Sequence, residues 1–538
     1  MNENEKNEQN KGPDSISFLL ENGLTLDQIS DNLSCGISLD EMVQAIKNRL
    51  ARGETIDDEG LDPSGSLLDC LRVIKPDETY SWNDAGAGKL FADLFRKECR
   101  FCTTAKEWMF YNGKFWELDM GGMRVAQRAK ALADALLFYC TTINDERQKQ
   151  QYTKYVTQFG RLCNRETMVK DARSEYFVSQ KDFDADGDLF NCLNGVFNLR
   201  TYELLPHKPE YLLTKISNVV YDPEARSERF ERFISEIMQA DEAKIKYLQK
   251  TLGLALTTDT SLETCWIWYG ATTRNGKSVL AETILYMMGA DKGYSLSMPP
   301  ETLAQRKNKD TRQASGDIAR LDGCRFLNAS EPPKRMLIDS ALLKTLLGRD
   351  TITARHLHER EFQFIPVFKL FVNTNYLPLI PDDTLFTSGR INVLTFDRHF
   401  EPHEQDHRLK DTLKTPENIS GAFNWCVEGL KRYRQEGLTP PDSVTCATSD
   451  YRRNSDKIQN FIDECLIEAD GKNSDGKKVY QAFANWCEAN GYGTDSKRNF
   501  FDEMRNKGLY ADRGWVGGCR LRNVILNHEI ADDEPPPW

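Results

Sequence analysis

The sequence predicts an α/β core set between an α+β N-terminal region and a helical C-terminal region that ends like a winged helix. Three observations carry this. The apolar run Trp266–Tyr269 enters a small-residue loop and then, at Gly276-Lys277-Ser278, the start of a helical pattern. Helix and strand periodicities alternate through residues 226 to 420, as they do when helices cover a mostly parallel sheet. Beyond 420 helical signals return, closing on two helices at about 478–490 and 495–507 and a Gly-rich, strand-like stretch from Gly514 to Leu526.

Length and composition bound the rest. A chain of 538 residues is long enough for several domains, each with its own core. Hydrophobic residues make up 40% and charged residues 28%, and no apolar stretch approaches the roughly 20 residues that a bilayer span requires. A soluble protein with no membrane partner is expected, in the cytoplasm, and in that of a bacterial host if the source is a phage or mobile element. The polar start MNENEKNEQNKGPD reads as neither signal peptide nor anchor. Fourteen cysteines lie scattered from Cys35 to Cys519 without framework spacing, which suits reduced thiols. Cys99-x-x-Cys102 has no second pair at zinc-ribbon spacing and is expected to hold no metal. A net charge of −12 excludes a broadly basic coat, so any nucleic-acid contact must come from local clusters.

In chain order, residues 1–14 are expected to be disordered, and 15–66 form a small helical segment and linker. Leu24-Thr25-Leu26-Asp27 and Ser38-Leu39-Asp40 read as cap-like helix starts there. Residues 67–225 mix helices with short strands. Phe110 to Trp116 reads as a hairpin turning at Asn112-Gly113, and the alanine-rich stretch from about Val125 to Tyr139 as a helix. Asp182, Asp184, Asp186 and Asp188 read as a loop beside the Asn194-Gly195 turn rather than a metal site. Residues 226–420 form the α/β domain, 421–527 the C-terminal helical and winged-helix region, and 528–538 an acidic, proline-rich tail.

The chemistry centres on Gly270 to Ser278, which read G-A-T-T-R-N-G-K-S: Gly270, Ala271, Thr272, Thr273, Arg274, Asn275, Gly276, Lys277 and Ser278. Backbone N–H groups of such a loop and of the helix after it surround polyphosphate, the lysine reaches the β and γ phosphates, and the hydroxyl ligates Mg²⁺. The usual spacing puts the first glycine at 271, whereas here it stands one residue early. Downstream, Arg325–Ser330 is a buried-strand pattern ending at Glu331, a carboxylate suited to Mg²⁺ and to polarising a water. Phe368–Thr374 is another, ending at Asn375, an amide able to orient that water. Gly389-Arg390 precedes the apolar Ile391–Leu394, and an arginine there can stabilise transition-state charge from a neighbouring subunit. Each signal is weak singly. Their order is that of an NTPase using ATP and Mg²⁺, with Lys277, Glu331, Asn375 and Arg390 as catalytic candidates and Ser278 and Glu331 as metal ligands.

The series GATTRNGKS, FLNASE, ALLKTLLGRDTITARHLHEREF, FVNTNYLP and SGRINVLTF resembles the superfamily 3 helicase domain of phage, plasmid and poxvirus primase-helicases. The likeness extends upstream through FDADGDLFNCLNGVFNLRTYELL and downstream through VYQAFANWCEANG. The resemblance implies an AAA-like core, a ring of subunits, and ATP-driven translocation on single-stranded or forked DNA. It places the family's pre-glycine asparagine on Asn275, its acidic residue on Glu331 after a non-acidic Ser330, its sensor on Asn375 and its finger on Arg390. Lys344, Gly348, Asp350 and Arg355 match the segment leading into a DNA-tracking hairpin, whose contacts fall on Arg355, His356, His358 and Arg360, with Glu359 where relatives frequently carry lysine. A primase, polymerase or origin-binding protein is the implied partner. Lys497 and Arg498, on the second of the two C-terminal helices, are further candidates for DNA contact. Two other readings stay open: a primase-helicase with a cryptic priming activity, although only about 65 residues precede the matching region, and a P-loop ATPase that drives assembly rather than unwinding.

Overall fold

The computed structural model describes residues 63–289, 292–305, 316–334, 336–355, 361–489, 493–509 and 520–527. The backbone divides into two compact units, one holding residues up to 112 and 117–182, the other 113–116 and 183 onward. The expected boundary at 225/226 does not coincide with this division. The helical patterns expected within 15–50 and the acidic tail lie outside the described residues.

The first unit is helices around a small sheet. Helix α1 (Pro63–Ile74) is followed by α2 (Asp84–Phe95), which Asn83 caps by accepting from the Gly86 N–H at 2.9 Å. Strands β1 (Cys99–Cys102) and β2 (Glu107–Tyr111) pair antiparallel, with Phe101 opposite Trp108. Helices α3 (Met123–Cys140), α4 (Glu146–Val156) and α5 (Leu162–Ala172) complete it. The alanine-rich expectation is α3, extended by a residue or two at each end. Leu71, Phe91, Trp108, Leu132, Leu136 and Met168 form the core.

The second unit begins with an antiparallel meander, β3 (Leu189–Cys192), β4 (Gly195–Asn198) and β5 (Glu203–Leu205). The four aspartates before it act as loop residues. Asp184 accepts from the Thr214 backbone and hydroxyl, and Asp188 pairs with Arg200. Helices α6 (Glu228–Ile237) and α7 (Glu242–Ala255) follow, capped by Ser227 and Asp241.

Next comes a five-stranded parallel sheet of β6 (Cys265–Tyr269), β7 (Ser295–Met298), β8 (Phe326–Ser330), β11 (Lys369–Thr374) and β12 (Ile391–Thr395). Its order is β12-β6-β11-β8-β7. Between β6 and β7 runs α8 (Lys277–Met288); between β8 and β11 run α9 (Ser340–Leu347) and a separate antiparallel pair, β9 (Ile352–Ala354) with β10 (Phe362–Phe364). Because helices cover both faces, the strands read as continuous apolar runs rather than alternating ones. Trp266, Trp268, Phe326 and Phe371 project into one core with α6, α7, α8 and α10 (Pro416–Glu436). Ile267, Leu327, Leu370 and Val393 project into the other, which also contains Leu343 and Leu346 of α9 and Tyr451 of α11 (Asp442–Ser455).

The chain ends in α12 (Lys457–Cys465), β13 (Leu466–Asp475), α13 (Gly476–Ala489), α14 (Lys497–Asn506) and β14 (Arg520–Leu526), with β13 and β14 antiparallel around Phe461, Phe483 and Phe500. No helix among the described residues is long and apolar enough to cross a membrane.

At the amino end of the sheet, Arg325 is buried and donates to the carbonyls of Leu189 and Leu256, each at 2.8 Å, while its guanidinium lies 4.5 Å from the Tyr294 ring centroid. It therefore ties the meander, the end of α7 and β8 together. Arg325→Ala would leave two buried carbonyls unpaired and a cavity, and should lower stability by about 3–5 kcal/mol. Urea unfolding monitored by tryptophan fluorescence checks this, and a loss below about 1 kcal/mol would mean the carbonyls find other donors.

Candidate functional site

In a parallel sheet every carboxyl end reaches the same edge, and loops leaving adjacent strands can share a ligand there. Here β6, β11 and β8 are neighbours. The Gly270 N–H that follows β6 donates to the Thr374 carbonyl at 3.2 Å, and the Glu331 N–H that follows β8 donates to the Asn373 carbonyl at 2.8 Å. The glycine, the sensor amide and the carboxylate identified in the sequence thus stand side by side.

The loop itself is shaped by two glycines. Gly276 has φ 84, and a Cβ there would approach Ile237 of α6 to 2.4 Å. Gly270 explains the displaced first glycine: a Cβ there would lie 2.1 Å from the Asn275 amide nitrogen and 2.7 Å from Lys277 Nζ. Ala271 by contrast is exposed. Helix α8 starts at Lys277 with no side-chain cap, so its first N–H groups are available to an anion, aided by the helix dipole.

Lys277 is 3% exposed, and its ammonium donates to Asn275 Oδ1 at 2.9 Å and Asn375 Oδ1 at 2.8 Å. Asn275 is fixed in turn by donating to the Thr272 carbonyl at 2.6 Å. Burial pushes the Lys277 ammonium down to about 8, against the pull of the Glu331 carboxylate. Glu331 is exposed at φ 56, a left-handed conformation uncommon for such a residue. Before it, Ser330 Oγ accepts from Asn328 Nδ2 at 2.7 Å, so the serine hydrogen is directed to another acceptor. Ser278 is exposed in the first turn of α8. A lysine awaiting a stronger acceptor, an uncapped helix start, a hydroxyl and a nearby carboxylate fit a magnesium polyphosphate.

Sequence reading missed the clasp around this loop. After β12, the Phe400 N–H donates to the Arg274 carbonyl at 2.9 Å, a His399 ring nitrogen lies 2.8 Å from the Thr273 carbonyl, and Arg274 donates to Gln405 at 2.7 Å. Two of these bonds end on main-chain carbonyls, and all three join residues more than 120 apart, so no motif announces them.

Other candidates lie elsewhere. Arg390 precedes β12 at the amino edge, where its carbonyl accepts from Cys265 N–H at 2.7 Å and its guanidinium pairs with Glu263. The five residues of β6 separate it from the phosphate loop of its own chain, roughly 16 Å at the usual rise. Strands β9 and β10 are the arms of the expected hairpin, with Ile352 opposite Phe364. Arg355, half-buried, follows the innermost pair, Ala354 with Phe362, at the turn end of the first arm, while His356, His358, Glu359 and Arg360 lie outside the described residues. Lys344 is a local anchor, donating to Asp382 at 2.6 Å and Thr384 at 2.8 Å. On α14, Lys497 lies over the Tyr480 ring and Arg498 is almost fully exposed.

The chain is similar to several known proteins. A family model described as "D5 N terminal like" matches residues 88–239, ending before the phosphate loop. A protein of Acanthamoeba polyphaga mimivirus named "putative helicase" is 27% identical over 362 residues, covering 63% of this chain and 37% of that protein. Another of that description, from Frog virus 3, is 29% identical over 242 residues, covering 41% and 24%. A "putative primase" of African swine fever virus is 19% identical over 345 residues, covering 59% and 35%. The chain thus matches between about a quarter and two fifths of the length of these relatives. Among solved structures, the apo C-terminal region of NrS-1 aligns with 81% of this chain and 99% of its own at 10% identity and a TM-score of 0.43, a likeness too loose to transfer detail.

The lowered Lys277 value gives a pH dependence. Phosphate oxygens favour the charged ammonium more than amide oxygens do, so between about pH 8 and the ordinary lysine value of 10.5 nucleotide binding should take up a proton, and affinity should fall as pH rises through that window. Calorimetric titration with a non-hydrolysable ATP analogue near pH 9, in buffers of different ionisation enthalpy, measures the uptake. Lys277→Arg, which stays charged, should abolish it; equal uptake in that variant would assign the proton to another group.

Proposed function

We propose that this chain, a member of the phage and viral primase-helicase family, is an ATP-dependent DNA helicase of phage or mobile-element replication. It would act as a ring on single-stranded or forked DNA.

ATP and Mg²⁺ are its proposed cofactors. The observation that carries this reading is the convergence of Lys277, Asn375 and Glu331 at three adjacent strand ends, beside a helix start with no cap of its own. The relatives' names support a role in helicase or primase chemistry on DNA.

The residues divide the work as follows. Lys277 exchanges its two amide oxygens for the β and γ phosphates, and the N–H groups of residues 270–278 surround the rest of the chain of phosphates. Ser278 and Glu331 are the residues to hold Mg²⁺, which when bound shields the phosphate charge. Glu331 also accepts a proton from the attacking water, and Asn375 orients that water. Arg390, on the opposite edge of the sheet, serves the site of the adjacent subunit, where an arginine is worth about 10³-fold or more in turnover. The β9–β10 hairpin brings Arg355, His356, His358 and Arg360 to the channel. A chain of net charge −12 then needs assembly to gather enough local positive charge around DNA. The α12–β13–α13–α14–β14 region acts as a winged-helix-like module that contacts DNA through Lys497 and Arg498 or docks a primase, polymerase or origin-binding protein.

Lys277→Ala should abolish ATP hydrolysis and weaken nucleotide binding, whereas Glu331→Gln should keep binding and lose turnover by about 10²-fold or more. Equal loss of binding in both would contradict these roles. Strand displacement from a forked duplex, with Lys277→Ala as the control, separates a helicase from a P-loop ATPase of another kind.

Mixing Arg390→Ala with Lys277→Ala subunits tests the action in trans. Rings containing both should recover part of the ATPase activity, since some interfaces would join an intact loop to an intact arginine. No recovery in demonstrably mixed rings would remove Arg390 from the neighbouring site.

A further inference from the structure

We infer that the first unit carries a second contact for single-stranded DNA, separate from the hairpin and from α14, built from arginines stacked on aromatic rings around Tyr176 and Phe177. Arg96 and Arg100 lie 5.8 and 5.6 Å from the Tyr176 ring centroid, and Arg173 lies 4.9 Å from that of Phe101 on β1. Arg124 and Arg128 stand over Phe110 of β2. Such pairs occur about once per 70–80 residues, whereas five fall between residues 96 and 176.

The backbone supplies an independent sign. Tyr176 has φ 45, a strained conformation for an aromatic residue. It is held there by its carbonyl, which accepts from Arg100 Nη1 at 2.9 Å, and by its hydroxyl, which donates to Asp93 at 2.6 Å. Two residues on, the Val178 N–H donates to the Phe101 carbonyl and the Thr103 N–H to the Val178 carbonyl. Phe177 is therefore fastened on both sides, yet its side chain is 60% exposed. A rigid mount that presents a phenyl ring to water leaves apolar surface hydrated, and a base stacking on that ring would cover it.

Charge selects the polymer. Arg128 and Arg124 are already paired with Glu98 and Glu117, and Asp93 receives the hydroxyls of Tyr80 and Tyr176, so the phosphate contacts fall to the arginines around Tyr176 and Phe101. A guanidinium stacked on a ring keeps in-plane N–H groups for phosphate. Rings for bases and guanidiniums for phosphates, with no groove to receive a duplex required, are the chemistry of sequence-tolerant single-strand binding. The choice of DNA over RNA rests on the proposed helicase reading.

Fluorescence anisotropy of a labelled oligo-dT with the full chain tests this. Phe177→Ala should weaken binding roughly tenfold, as loss of one stacked base does, and Phe177→Tyr should retain it. Arg96→Gln with Arg173→Gln should lower the slope of log affinity against log salt by about one unit or more. All three variants should keep the DNA-independent ATPase rate of the parent. Parent binding with unchanged affinity and salt slope in the variants overturns this surface alone. A parent chain that binds no oligonucleotide overturns it together with the helicase reading.

Discussion

A buried ammonium held by neutral oxygens is the constraint on which the carboxyl edge of the sheet depends. Had Lys277 been paired with a carboxylate in the resting loop, an incoming polyphosphate would have to break an ion pair and then face the abandoned negative charge. Asn275 and Asn375 avoid that. Their amides satisfy the cation well enough to keep it in place, and release it without leaving an uncompensated charge. The same two bonds connect the phosphate loop to the end of β11, so the position of the lysine reports on the position of the sensor strand.

The opposite edge of the sheet is secured differently. Arg325 and Lys369 are both buried, and both donate to main-chain carbonyls, Lys369 to those of Thr257 and Val367. Burial lowers the pKa of each. Three of these carbonyls, those of Leu189, Leu256 and Thr257, belong to segments that precede the sheet in the chain, so the cations fasten the meander and the α7 end to the bases of β8 and β11. One edge is thereby anchored by buried bonds, while the other keeps its donors and acceptors exchangeable.

Much of the carboxyl edge of the sheet was legible because its residues lie close together in sequence. The strand, loop and helix around Lys277 are contiguous, Glu331 and Asn375 each terminate an apolar run, and the arms of the hairpin are written as short strands on either side of a charged stretch. What could not be read was the lateral order of strands. Placing β11 between β6 and β8 depends on pairings that carry no residue code, such as Phe371 with Trp266 on one side and Asn328 on the other. The meander was expected to go with the preceding region because its short strands resemble those at 99–111; its attachment to the sheet unit runs through Arg325, whose role cannot be seen from its neighbours in sequence. The arginine and aromatic surface of the first unit was equally hidden, since its members come from α2, β1 and the end of α5.

The glycine at 270 carries a consequence for how such a loop changes over generations. A substitution there is blocked by the very groups that hold the lysine, Asn275 Nδ2 and Lys277 Nζ, so the two ends of the loop form an epistatic pair. Bulk at 270 would have to be taken up by displacing the tips of the asparagine and the lysine, so a change at the first residue of the loop reads out at the ammonium seven positions later.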